Sequence, residues 1–252
     1  MTNKKHTYIS HSLSTLSVVF LVLIWQIYSI KINNSIIMPT PLDVLESLWE
    51  LLISLNTYLI ILTTLKRLLI TISISTLFGL TLGLISGMNY QLEAFLKPIV
   101  VSLRTLPIIS IIVIVLILYG NVFSLYIITF LLLFPIIYQA ELDGVKHIDP
   151  LLISVLKLEC NRCSPRGIKM VYLPLSLPFL RTGILQSAGL GIKILVVAEY
   201  ISQAKVSIGR EIYMGRINLH YDLVFAWSII LIVVVLLFEH LVEKLLITTY
   251  KN

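Results

Sequence analysis

Charge is what this 252-residue chain lacks. Only 13% of its residues are Asp, Glu, Lys or Arg, where a soluble globular chain carries about a quarter. Cysteine is scarce too. Cys160 and Cys163 are the whole supply, which excludes a disulfide framework. A zinc site needs four ligands, normally from a second such pair, and there is none. His6, His11, His147, His220 and His240 share no His-x-x-x-His spacing, so no metal ligand is expected. No Gly-x-x-x-x-Gly-Lys-Ser/Thr loop occurs, so the chain does not hydrolyse ATP by that route. A Ser-centred elbow and a paired His-Glu metal motif are missing as well. No catalytic residue and no bound cofactor are expected, and a membrane enzyme is disfavoured.

What fills the chain is hydrocarbon. Hydrophobic residues make up 58% and the mean hydropathy is +0.96. No soluble packing accounts for that, so the expected fold class is an all-α polytopic membrane protein. The net charge of +6 reads as basic residues retained at the cytoplasmic face rather than as a nucleic-acid surface. Residues 1–12 are a short polar start, expected to be a cytoplasmic N-terminus. Residues 13–249 are expected to form one transmembrane domain with spans at 13–30, 68–88, 99–119, 123–138, 172–201 and 223–245. The first apolar run has no small-residue cleavage site after it and is read as a retained helix. Thr40-Pro41-x-Asp43 is a helix start. The residues after it place Val44, Leu45, Leu48, Trp49 and Leu52 on one face, which predicts an amphipathic helix in the membrane interface, in contact with lipid. Gly79, Gly83 and Gly87 are four apart, and small residues so spaced let another helix approach closely.

Six spans put both termini on one side. That side then holds ten basic residues and the other six, with Arg104, Arg181 and Lys193 inside spans. The bias favours both termini in the cytoplasm.

The one long polar interval is 139–171, and on this topology it is cytoplasmic. Asp149-Pro150 is a cap and a first-turn proline. A helix follows to Cys160, with Asn161 as a left-handed stop. Ser164-Pro165 repeats the cap and leads into the fifth span. Two short capped helices about a tight turn make a rigid docking knob.

This interval, running from Asp149-Pro150 to Leu173-Pro174, resembles the cytoplasmic loop of ATP-binding-cassette importer permeases. Met38-Pro39-Thr40-Pro41 is similar to the family's LPxP segment. Leu103-Arg104-Thr105-Leu106-Pro107 is similar to its LRPxP, Val196-Val197-Ala198-Glu199 to its VVAE, and 222–226 to the start of its last helix. The run spans about residues 36–245, in order, and points to the nitrate, sulfonate and taurine branch. Two departures stand out. Ile153-Ser154-Val155 and Asn161 occupy the places of the family's Glu-Ala-Ala and Gly, and the loop is one residue longer.

The resemblance implies a type I importer permease with a coupling helix that docks on an ATPase through Asp149, Pro150, Leu151, Ser154, Lys157, Glu159, Asn161 and Arg162. It implies ATPase subunits that bind the ATP, a second permease copy (identical or related), an extracytoplasmic substrate-binding protein, and a place in the bacterial plasma membrane. The implied cargo is a small anionic or organosulfur or nitrogen solute. Charges within spans are costly to bury, so Arg104, Lys193 and Glu199, with Gln186 beside them, are the pore candidates. The rival is an ion-coupled secondary transporter, which would be expected to show inverted halves and several membrane carboxylates. Glu199 is the one such carboxylate legible at depth.

Overall fold

The computed structural model describes residues 2–159 and 164–248, without side chains at 2–15, 121, 157–159 and 247–248. The expectations for Cys160, Asn161, Arg162 and Cys163 lie outside the described residues. The helices are α1 (Thr2–Ile32), α2 (Pro41–Ile53), α3 (Leu55–Met88), α4 (Tyr90–Thr105), α5 (Ile108–Tyr119), α6 (Asn121–Lys146), α7 (Pro150–Glu159), a single turn α8 (Pro165–Gly167), α9 (Leu173–Ser202), α10 (Ile208–Ile217) and α11 (Tyr221–Thr248). Residues 168–172 form a π-helical turn between α8 and α9. Among the described residues four helices are long and apolar enough to cross a membrane, or five if the bent pair α4–α5 counts as one, and Leu16–Ile32 is a shorter apolar stretch.

The chain forms two compact units. Met1–Tyr58 and Glu211–Leu231 make up the first, Leu59–Arg210 and Ile232–Asn252 the second.

In the first unit the Met38-Pro39-Thr40-Pro41 break is tied down by α1. The Trp25 indole donates to the Pro39 carbonyl at 3.0 Å, and the Ser29 hydroxyl to the Met38 carbonyl at 3.0 Å. Thr40 and Asp43 then exchange side-chain and backbone hydrogen bonds, a complete capping box that starts α2. Ser47 donates to Asp222 at 2.6 Å, and Trp25 stacks on Phe225. The apolar face expected of α2 is split. Val44 is buried beside Ser47, whereas Leu42, Leu45, Trp49 and Leu52 form an exposed stripe.

The second unit is built around α6. Its buried row of Leu133, Ile137, Tyr138, Glu141 and Val145 follows helical spacing. On one side α3 presents bare backbone. A Cβ added to Gly79 would sit 2.7 Å from Ile137, one on Gly83 2.8 Å from Glu141, and one on Gly87 2.5 Å from Val145. On the other side α9 does the same, with Gly183 against Ala140 and Gly191 against Leu133. The four-residue glycine spacing is thus a seat for α6.

Two expectations about boundaries need correcting. Residues 99–119 are not one continuous crossing: α4 and α5 meet at 102°. Pro107 supplies no N–H and holds Leu106 extended (φ −64°, ψ 136°), which ends α4. α5 alone, at twelve residues, is about 18 Å long, short of the roughly 30 Å hydrocarbon core. Nor does the polar loop begin at 139. α6 continues to Lys146, supported by a Gln139–Asp143 hydrogen bond of 2.8 Å one turn apart. The 202–222 stretch between the expected fifth and sixth spans contains α10, whose first turn is capped by Ser207 accepting from the Arg210 amide at 3.2 Å.

Replacing Gly83 by Leu should lower the melting temperature of the detergent-solubilised protein by an amount equivalent to about 1–3 kcal/mol of overpacking. Thr81→Leu, on the exposed side of the same helix, should leave it unchanged. Equal melting temperatures for the two variants would contradict the seat.

Candidate functional site

The polar end of the second unit carries the knob. The Asp149 carboxylate accepts the Leu151 amide at 2.8 Å and starts α7, as its cap position requires. Ser154 donates back to the Pro150 carbonyl at 2.8 Å. Ser164 caps α8 by accepting from the Gly167 amide at 3.1 Å. Leu156 turns inward onto a core of Leu84, Val145, Ile148 and Tyr172. Leu151, Leu152 and Val155 remain exposed, with Leu151 73% accessible. Of the expected docking residues, Asp149, Pro150, Leu151 and Ser154 therefore share the exposed end of one short helix. α7 extends through Lys157 and Glu159.

Sequence reasoning missed the π turn. The Leu173 amide bonds to the Ile168 carbonyl, five residues back rather than four, so the turn holds one residue more than an α-helical turn. The signal was the loop's one extra residue. The widening also lies just ahead of Pro174, which in a regular α-helix would clash with the carbonyl four residues before it. With the turn in place, Tyr172 is fully buried under α7 and Ser176, one turn on, reaches α6.

The Ser176 hydroxyl donates to Glu141 at 2.7 Å. Glu141 has no accessible surface, and its second oxygen has no partner among the described residues. The Ser176–Glu141 bond joins α6 and α9 just behind the knob. Glu141 was read as part of a solvated loop. Its helical phase with Ile137, Tyr138 and Val145 was the clue.

At the α4–α5 elbow lies an open groove with a volume of about 680 Å³. Its wall includes Arg104, Leu106 and Ile109 from the elbow, Leu132 and Ile136 from α6, and Leu190, Lys193 and Ile194 from α9. Two of the four pore candidates, Arg104 and Lys193, thus meet at one groove. Neither forms an ion pair with a described residue.

Glu199 lies elsewhere. It is fully buried and paired with Arg67 at 2.8 Å. Thr64 donates to the same carboxylate at 3.1 Å, and the Gly209 amide at the start of α10 reaches it at 3.4 Å. Arg67 also donates to the carbonyls of Lys205 (3.1 Å) and Val206 (3.3 Å). Val206 has φ 52°, a costly conformation for a β-branched residue, and the guanidinium helps to hold it there. The pair therefore fastens α3, the end of α9 and the 203–209 turn. Sequence reading left Arg67 at a helix end because α3 was expected to begin at Leu68. Gln186 is exposed on α9 and does not line the groove.

Removing either partner of the Arg67–Glu199 pair strands a buried charge, which costs about 3–5 kcal/mol. Glu199→Leu or Arg67→Met alone should sharply reduce the folded yield and melting temperature. The double variant should recover much of the loss. A double variant as unstable as the sum of the singles would contradict a coupled pair.

A family model described as "binding-protein-dependent transport system inner membrane component" matches residues 79–245. The chain is 26% identical over 217 residues to the aliphatic sulfonates transport permease protein SsuC of Bacillus subtilis, covering 85% of this chain and 78% of that protein. It is 24% identical over 235 residues to the taurine transport system permease protein TauC of Escherichia coli, covering 90% and 84%. It is 25% identical over 174 residues to the bicarbonate transport system permease protein CmpB of Synechococcus elongatus, covering 62% of each.

Proposed function

The chain belongs to the family of binding-protein-dependent transport inner-membrane components, and from that premise we propose how it works as the permease subunit of an ATP-driven importer. It is a transport subunit and not an enzyme; ATP is hydrolysed by a separate ATPase subunit, and a substrate-binding protein supplies the solute.

α7 is the part that docks on the ATPase. The observation that carries this is an apolar patch, Leu151, Leu152 and Val155, left exposed at the polar end of an otherwise membrane-bound unit. Apolar side chains on a short, capped helix suit a groove in a partner. Leu156 of the same helix is locked among Leu84 of α3, Val145 of α6 and Tyr172. A push on α7 therefore moves these helices together and can bias the permease between two states. The long helices, the bent pair and the apolar part of α1 form six crossings, with both termini and the knob in the cytoplasm. A second permease copy completes the pathway across a two-fold axis. Arg104 and Lys193 face that pathway and select a small anion, in keeping with the solutes named for the relatives.

The test is co-purification. Leu151→Glu with Val155→Glu should reduce the ATPase retained by the gently solubilised permease at least tenfold, the scale of a lost interface hot spot. Melting temperature should hold, because both side chains are exposed. Full retention of ATPase together with normal ATP-driven uptake would refute the docking role.

A further inference from the structure

A cleft between α4 and α6 shares no lining residue with the elbow groove. Its volume is about 200 Å³. Tyr138 and Leu142, both buried, form its floor. Its charges are Glu93 and Lys97 on α4 and Lys146 on α6. Lys146 pairs with Glu93, which ties the end of α6 to the first turn of α4. Lys97 is exposed and has no ion-pair partner among the described residues. Glu93, one turn before it, is the carboxylate that a helix offers a lysine at that spacing, and Lys146 has taken it. Asp143, the next carboxylate along α6, is bonded to Gln139 and lies outside the wall. Two lysines against one glutamate leave the wall one net positive charge.

The lip of the cleft is open and partly apolar. Val101 lines the wall and is still 49% exposed, and Tyr90, two turns before Lys97 on the same face, is 80% exposed. A tyrosine so placed suits the boundary between lipid headgroups and acyl chains. A free phosphate would bring up to two negative charges beside Glu93 and would leave this lip uncovered. A phosphodiester brings a single charge, together with acyl chains that cover Val101. A zwitterionic lipid adds an ammonium group, and both nearby carboxylates are already engaged.

We propose that the α4–α6 cleft binds the phosphodiester headgroup of an anionic phospholipid of the cytoplasmic leaflet, with Lys97 as its counter-ion. Basic pockets between transmembrane helices recognise acidic headgroups in this way. The choice of leaflet rests on the reading that puts the knob in the cytoplasm, which ATPase retention tests separately.

The experiment is native mass spectrometry of the permease–ATPase complex released from nanodiscs made of equal parts phosphatidylglycerol and phosphatidylcholine. The complex should retain phosphatidylglycerol in excess over phosphatidylcholine. Lys97→Gln should lower that excess about fivefold, the factor that one basic residue contributes beside an anionic surface. Lys97→Arg should keep it. Lys169→Gln removes an exposed cation outside the cleft and should leave the excess unchanged. Inorganic phosphate or glycerophosphate added in excess should not displace the lipid. All three variants should melt with the wild-type protein in nanodiscs of phosphatidylcholine alone, so that a lost lipid is not a lost fold. Equal retention of the two lipids would overturn the proposal and leave the cleft to the second permease copy. An excess that survives Lys97→Gln, or that falls as far in Lys169→Gln, would overturn it in favour of general surface charge. Displacement by inorganic phosphate would overturn it in favour of a dissolved anion.

Discussion

The second unit depends on one steric constraint: α6 lies against backbone rather than against side chains. Gly79, Gly83 and Gly87 on α3, and Gly183 and Gly191 on α9, have no room for a methyl group. In a bilayer this close approach replaces the hydrophobic driving force, because lipid tails solvate leucine as well as another helix does. It also fixes depth and rotation. Glycines spaced by one turn accept only one register of α6, and that register brings Glu141 to Ser176 at one end of the helix. The knob and the groove inherit their positions from this seat.

Polar groups divide into two kinds under the same constraint. Arg67 and Glu199 are saturated, each held by the other and by backbone or hydroxyl partners. Such an arrangement costs desolvation and fastens the backbone of residues 203–209. Arg104 and Lys193 are the opposite case, exposed charges at an apolar wall with no ion-pair partner among the described residues. A buried charge with partners holds structure; an exposed one without them is available to a ligand.

Much of this was legible from residue types. The capped knob follows from Asp149-Pro150 and Ser164-Pro165, because cap chemistry is local. The close helix contact follows from the glycine spacing. What sequence concealed was long-range. Glu199 looked like a pore residue until Arg67 was found 132 positions earlier in the chain, and no local pattern reports such a pairing. Glu141 was hidden by its neighbours, Gln139 and Asp143, which make the segment look solvated although it continues an apolar phase. The bend of α4 against α5 was half visible: Pro107 announces a break, but its 102° depends on tertiary packing.

The π turn at 168–172 has a consequence for how such a subunit changes over evolutionary time. An α-helix advances 100° per residue, so one inserted residue would swing the whole of α9 by that angle and carry Ser176, Gly183 and Gly191 away from α6. A single wide turn takes up the insertion where it occurs. The knob can then lengthen by a residue while the transmembrane register stays as it was. The segment works as a spline between α7 and the transmembrane run of α9, and it lets the length of one change without turning the other.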